Sequence, residues 1–579
     1  MKRWMKYVRP YWPYFIFGPL CMIVEVLGEV ILPKLYALIV NNGVEGGMGP
    51  GYIGWAMAFM IGTAILMMAG GVGGAYFGAK ASVNFSADLR RDIFAKVQSF
   101  SFANIDHFQT GSLVTRMTND VTQLQNFVNM LLRMALRAPG MLIGALIMAI
   151  SLNARLALVL AVAVPLMLLV LAFFISKGFP RFKIMQTRID ALNSTIEENL
   201  TNVRVVKSFV REDYERGKFE TANGNLKKAG LDAMNIMIFM QPAMMLMMNA
   251  TMLAVLYFGG VRVASGNMPV GDLTAFVTYI TQILMSLIMT TMLFMNSSRA
   301  MASARRITEV LDEKLDLSDA DAKYPDKTVE RGDIEFRHVS FRYYKNSEGE
   351  VLDDVNLHIK PGQTVGIIGS TGCGKTTLVS MIPRLYDADE GSVLVDGVDV
   401  RDYSLYNLRE GVGMVLQKNV LFSGSIEENL RWGDENATAK ELQAAAASAQ
   451  ADSFVRSFTN GYDTELGQGG VNVSGGQKER LCIARALLKH PKILILDDST
   501  SAVDTATEAR IREAFRNELA DSTKLIIAQR ITSVMEADQI IVMDDGRITG
   551  VGTHDELMKS NKEYQEIYDS QMSRKEDEA

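Results

Sequence analysis

Cysteine is scarce in this 579-residue chain. Cys21, Cys373 and Cys482 are too scattered to form a metal-ligand set or a disulfide framework, so free thiols are expected. A basic excess is missing as well: the formal net charge is −6, which offers nucleic acid no positive stripe. No small-residue cleavage site follows the first apolar run, so MKRWMKYVRPYWPYF reads as a retained first helix with its basic flank, not a removed signal peptide. What is present is uneven. Hydrophobic residues at 48% and charged residues at 21% look close to a soluble average, but that average hides two unlike parts. Up to about Met301 the chain carries long apolar runs rich in Met, Leu and Ala; the remainder alternates like an α/β protein.

A helix spans a bilayer with about 20 apolar residues, because each backbone polar group must be satisfied within the segment. Six such stretches occur, at roughly 14–40, 52–78, 127–150, 156–176, 236–260 and 272–296. Long, charged, amphipathic connections follow the second and fourth; the others are short. Lys2, Arg3, Lys6 and Arg9 precede the first span, and Lys80, Arg90, Arg91, Lys96 and Arg116 follow the second. Further cations run from Arg181 to Lys228, whereas of the loops on the other side NNGVEGGMGPG has none and the rest carry only Arg155 and Arg262. The positive-inside rule then predicts both termini in the cytoplasm of a multi-pass plasma-membrane protein. The charged connections are expected to be helices that continue into the cytosol and turn back.

Glu25 and Glu29 lie four apart on one face of the first span, at a depth where a carboxylate is costly. They read as a wet helix face or an ion pair in preference to a subsite for cationic substrates. Met234, Met237, Met240, Met244, Met247, Met248, Met285, Met289, Met292 and Met295 crowd spans five and six. Methionine suits a promiscuous apolar surface and equally fills space between helices and lipid. DEKLDLSDADAKYPDKTVERGD (312–333) reads as a linker between a transmembrane domain at 1–311 and a nucleotide-binding domain at 334–579.

The apolar strand TVGIIG feeds GSTGCGKT (369–376), a match to the phosphate-binding pattern G-x-x-x-x-G-K-[ST]. Its glycines let backbone amides curl around phosphates, Lys375 supplies a point charge and Thr376 an oxygen for Mg²⁺. KILILDD sets Asp497 at the end of a buried strand, where a second Mg²⁺-directed group belongs. Between them, Ser474, Gly475, Gly476 and Gln477 open a long amphipathic helix, a second phosphate-seeking element. One bound ATP needs only one phosphate loop, so a nucleotide shared between two cassettes is implied.

SGGQ between the two phosphate-site motifs resembles the signature of the ATP-binding cassette (ABC) family, and the whole chain is similar to a bacterial exporter of its type IV (B-type) class. The resemblance extends to FANIDHFQTGSLVTRMTNDV (102–121) and EENLTNVRVVKSFVREDYERGKF (197–219), the coupling segments. It implies an all-α six-helix transmembrane domain followed by an α/β P-loop NTPase with a RecA-like core and a helical subdomain. It further implies that Gly369, Ser370, Thr371, Gly372, Cys373, Gly374, Lys375, Thr376 and Thr377 hold ATP while Tyr343 stacks on adenine. By the same carry-over Thr376, Gln417 and Asp497 attend Mg²⁺, and Ser501 to Asp504 form the D-loop. TELGQGG (464–470) resembles a loop that contacts coupling helices, with Gln468 in place of the usual glutamate.

Two departures stand out. The family's general base is a glutamate after the Mg²⁺ aspartate; here it is Asp498, its carboxylate drawn back by about 1.5 Å. The family's switch histidine is Gln529, which can hydrogen-bond a phosphate but cannot become cationic. Together these predict a pocket that holds ATP and cleaves it slowly, whereas the intact signature at 474–477 predicts service to a partner's pocket. The expected assembly is a heterodimer with a second half-transporter, a homodimer with two slow sites being the alternative. Expected cargo is a lipophilic drug-like compound drawn from the cytoplasm or the membrane lipid, the alternative being a lipid or peptide exporter on the same scaffold. No peptidase domain is expected ahead of the first span. A channel that uses ATP only to gate is disfavoured, and a soluble cassette acting on nucleic acid is excluded by the six spans.

Overall fold

The computed structural model describes residues 2–343, 349–498 and 503–577. Two compact units emerge, one of residues 1–97 and 111–312, the other of 98–110 and 313–579. In the first, six helical segments are long and apolar enough to cross a membrane: Arg3–Glu45, Gly49–Gln98, Thr110–Leu152, Ala154–Thr201, Glu212–Ala264 and Val270–Asp312. At 1.5 Å per residue, the 50 residues of Gly49–Gln98 reach about 75 Å, more than twice the ~30 Å hydrocarbon thickness. The apolar side chains on its middle, such as Ile61, Leu66 and Met68, point outward. That is the pattern of a helix solvated by lipid instead of water.

Small residues let the first two spans approach closely. A Cβ added at Gly70 would lie 2.8 Å from the carbonyl of Cys21, so only glycine fits there. The third span is broken: Val121–Met134 gives way to Arg137–Leu152 across residues 135–136. Pro139 explains the break, since its ring excludes the carbonyl of the residue four before it. Pro19, Pro33, Pro165, Pro180 and Pro242 are accommodated inside long helices.

The second unit is built on a six-stranded sheet. Its order is Arg547–Gly552, Gln539–Asp544, Thr364–Gly369, Thr523–Ile527, Ile493–Asp497 and Val412–Val415, parallel except for the antiparallel first strand. Strands such as Ile493–Asp497 and Thr523–Ile527 are buried along their full length, as a sheet covered on both faces requires. A smaller antiparallel sheet pairs Ile334–Phe341 with Leu352–Ile359 and Glu390–Val395. Helices Ala439–Ser448, Asp452–Ser457 and Gly475–Leu488 form the helical part. This is the six-helix domain followed by an α/β nucleotide-binding fold that the sequence leads one to expect.

Candidate functional site: the nucleotide cleft

Open parallel sheets bind ligands beyond the carboxyl ends of their strands. Here the strand Thr364–Gly369 feeds the loop at 369–376, Thr523–Ile527 leads to Gln529, and Ile493–Asp497 ends on Asp497. These three strands are sheet neighbours, so the three sequence motifs converge without any further contrivance. They border a cleft of about 1040 Å³ that also takes in Tyr343, Gln417 and Asp498.

Two glycines of the loop are dictated by space and backbone together. Gly369 has φ +155° and a Cβ there would fall 2.0 Å from the carbonyl of Met543; Gly374 has φ +96°, with Val351 O at 2.6 Å from such an atom. Ser370 donates to Asp544 at 3.1 Å. The Lys375 ammonium donates to the carbonyls of Gly369 at 2.9 Å and Ser370 at 2.6 Å, and so is folded over its own loop. Cys373 is buried beside it, with Sγ at 3.6 Å from Nζ. The Tyr343 hydroxyl lies 2.9 Å from that of Thr377, and its ring stands edge-on to Tyr386. Thr371 and Gly372 line the cleft, as does Gln417 just beyond the strand Val412–Val415.

Thr376 donates to Asp497 at 3.0 Å, which brings two hard oxygen donors together at the strand end. Burial pushes the Asp497 carboxyl above the ordinary aspartate range; the Thr376 hydrogen bond opposes this and the neighbouring Asp498 charge adds to it. An ionised carboxylate held at such a cost is one that a cation would stabilise. Among the described residues no group of three or more His, Cys, Asp or Glu could enclose a metal. Mg²⁺ is commonly held by one or two protein oxygens plus nucleotide phosphates, and Thr376 and Asp497 could supply such oxygens.

Asp498 adopts φ +49°, a left-handed conformation unusual for a residue with a side chain. Its amide bonds to Ile527 O at 3.1 Å, and its carboxylate accepts a 2.5 Å hydrogen bond from the Gln529 side-chain amide. The two residues at which the sequence departs from the family pattern are therefore directly joined.

Ser474 caps the helix Gly475–Leu488 in a reciprocal box. Its hydroxyl accepts from Gln477 N at 3.3 Å, and its own amide donates to Gln477 Oε1 at 2.9 Å. Ser474 and Gly475 are exposed and Gly476 is partly so, and none of residues 474–477 lines the cleft. Gln468 is exposed too. Of the stretch expected to form the D-loop, Ser501 and Ala502 lie outside the described residues, while Asp504 caps the helix Thr505–Glu518.

Sequence reasoning passed over several residues. Arg137, in the third span, pairs with Glu25 at 3.1 Å and Glu29 at 2.7 Å. The ion-pair reading of the two glutamates thus has a structural partner, and a cation inside an apolar run was the signal for it. Asn104, in the first coupling segment, caps the helix Phe102–His107 with Ser101 and also donates to Glu313 and to Lys314 O. Tyr386 donates to Asp106 at 3.0 Å. Of the crowded methionines, Met244 is buried and Met240, Met247 and Met248 pack against the same core, whereas Met234, Met285 and Met292 are exposed.

Comparison with known proteins follows the same division of the chain. The ABC transporter transmembrane region matches residues 15–287, and the ABC transporter domain matches residues 352–501. YfiB of Bacillus subtilis, an uncharacterized ABC transporter ATP-binding protein, is 40% identical over 577 residues, 99% of both chains. YgaD of the same species, a putative multidrug export ATP-binding/permease protein, is 34% identical over 578 residues, 98% of both. A fatty acid ABC transporter ATP-binding/permease protein of Mycobacterium bovis is 36% identical over 479 residues, 83% of this chain and 75% of its own. The solved structure of a bacterial Atm1-family ABC exporter with ATP bound superposes with a TM-score of 0.79 at 26% identity, covering 97% of this chain and 98% of that one. The chain belongs to the ABC transporter family, and is a membrane-embedded ABC exporter whose second domain is the ATP-binding one.

Proposed function

We propose that this protein is the slow-site half of a heterodimeric exporter of lipophilic compounds. ATP binds in the cleft of this chain, with Tyr343 against adenine, residues 369–377 around the phosphates, and Thr376, Asp497 and Gln417 about Mg²⁺. Mg²⁺ would neutralise phosphate charge there; the donor set of hydroxyl, buried carboxylate and amide oxygens suits it. Asp498 falls short of the water that a glutamate would orient, since a base must come within about 2.6–3.2 Å of it. Gln529 cannot add positive charge.

The observation that carries the reading is the bond between Gln529 and Asp498, set beside an intact signature. The carboxylate that would orient water is already engaged, while the capping box at Ser474 presents a well-formed helix start outside its own cleft. A signature so placed serves a pocket on another chain. Closure of two cassettes on ATP then drives the membrane helices from an inward-open to an outward-open state. Both chain termini and the nucleotide-binding domain lie on the cytoplasmic side, the side to which the Lys and Arg of the long connections assign them.

The relative named as a fatty acid transporter favours a second reading of the cargo, a lipid. The methionines that are exposed on spans five and six suit either a drug or an acyl chain. Affinity purification of the full chain from its native host, with identification of what accompanies it, tests the assembly. The expected companion is a half-transporter with glutamate and histidine at the positions of Asp498 and Gln529 and an altered signature. Recovery of the chain only with itself overturns the heterodimer.

A further inference from the structure

The helix Lys562–Asp577 closes the second unit. Tyr564 is fully buried, and Ile567, Tyr568 and Met572 pack against the same core at helical spacing. Those contacts dock the helix on the core. Gln571, one turn beyond Ile567, makes contacts that docking does not call for. Its Nε2 donates to the carbonyl of Gln529 at 2.9 Å, and its Oε1 accepts from the amide of Ile531 at 2.8 Å. One side-chain amide thus bridges the backbone on either side of Arg530, just where the chain leaves the strand Thr523–Ile527. Gln571 borders the nucleotide cleft together with Lys375 and Asp497.

The contacts form a series. Gln571 fixes the backbone at 529–531, and the side chain of Gln529, carried by that backbone, donates to Asp498. Three segments remote in sequence meet in a line that ends at the carboxylate beside Asp497. Ala528 N bonds to Ile367 O, and the Arg530 and Ile531 carbonyls accept from Ser533 and Val534. Removing the bridge therefore frees only the Gln529 carbonyl and the Ile531 amide, and loosens the origin from which the Gln529 amide reaches Asp498. A carboxylate oxygen that accepts from Gln529 is withdrawn from orienting water.

We infer that Gln571 is a positioning residue that locks the switch segment, holds Gln529 on Asp498, and so keeps this cleft in its slow-hydrolysing condition. The inference rests on the slow-site reading given above. Gln571 touches no reacting atom; it acts through Gln529.

The test uses the full-length protein in its native assembly with an azido-ATP labelled on the α- or the γ-phosphate. After timed incubation the nucleotide is photo-attached, and loss of γ label relative to α label on this chain measures hydrolysis in its own cleft. Gln571→Met keeps the side-chain length and removes both bonds. Hydrolysis in the cleft is expected to rise about fivefold, the factor one ordinary hydrogen bond carries, with ATP affinity unchanged. Hydrogen exchange at the Ile531 amide should accelerate in step. Gln571→Glu keeps the acceptor for Ile531 and loses the donor for Gln529, and should give a smaller rise; it also serves if the methionine variant folds poorly. Unchanged hydrolysis in both variants, or a parallel change in affinity and rate, overturns the lock. A wild-type cleft that already hydrolyses as fast as its companion's refutes the slow-site reading, visible before any variant is compared, and the lock falls with it.

Discussion

In the proposed slow site, one missing methylene at Asp498 separates its carboxylate from the reach of a glutamate that would orient water. The shortfall of about 1.5 Å is half the length of a working hydrogen bond, and loss of a positioned base is worth on the order of 10²–10⁴ in rate. The Gln529 amide compounds it by occupying an oxygen of the same carboxylate at 2.5 Å. Asp498→Glu together with Gln529→His should therefore raise steady-state ATPase, modestly in the proposed heterodimer, where the companion's pocket would carry most of the turnover. Either change alone should do less, since the glutamate still meets the glutamine and the histidine still meets the short carboxylate. An ATPase rate unmoved by the double substitution would show that these two positions do not limit this cleft. The identities of both residues were legible in the sequence. Their contact was not, because 31 positions separate them and neither lies in a periodic pattern that points to the other.

At the scale of elements, the first and third spans are joined through charge. Glu25, Glu29 and Arg137 are 14%, 19% and 23% exposed at their side chains, so the triad is largely sheltered. Removing one partner from a sheltered pair leaves the rest uncompensated, at a cost of about 3–5 kcal/mol. Arg137→Met is expected to lower the melting temperature of the detergent-solubilised protein sharply. Adding Glu25→Gln and Glu29→Gln to it should recover most of the loss, because no charge is then stranded. Equal melting of Arg137→Met and wild type would mean that the triad does not brace the two helices. The six spans themselves were readable from their apolar runs, since a bilayer permits few other ways to satisfy a backbone. The break at 135–136 follows from Pro139, four residues after Ala135. Arg137 was visible as a cation inside an apolar run, but its pairing with Glu29 was not, for the two stand 108 positions apart and meet only through helix packing. The π-helical turns Ile39–Glu45 and Arg116–Asp120 likewise have no pattern in the residues that announces them. Gln571 was hidden for a related reason: it sits in a polar terminal helix whose sequence resembles ordinary solvent-exposed surface.

For the whole molecule, the parts point to shared labour between two chains. The P-loop and the buried Asp497 border one cleft, and the positions proposed to assist cleavage there hold a short acid and an uncharged amide. The signature helix is capped, and residues 474–477 do not line the cleft of their own chain. On the slow-site reading proposed above, such a chain grips one ATP and completes the cleavage of another. The most direct measurement is steady-state ATPase of the purified assembly carrying either Ser474→Ala or Asp498→Asn in this chain. Near-complete loss from Ser474→Ala with most activity retained in Asp498→Asn is the expected result. Equal losses from the two substitutions, or brisk turnover and transport by this chain without a companion, would contradict it.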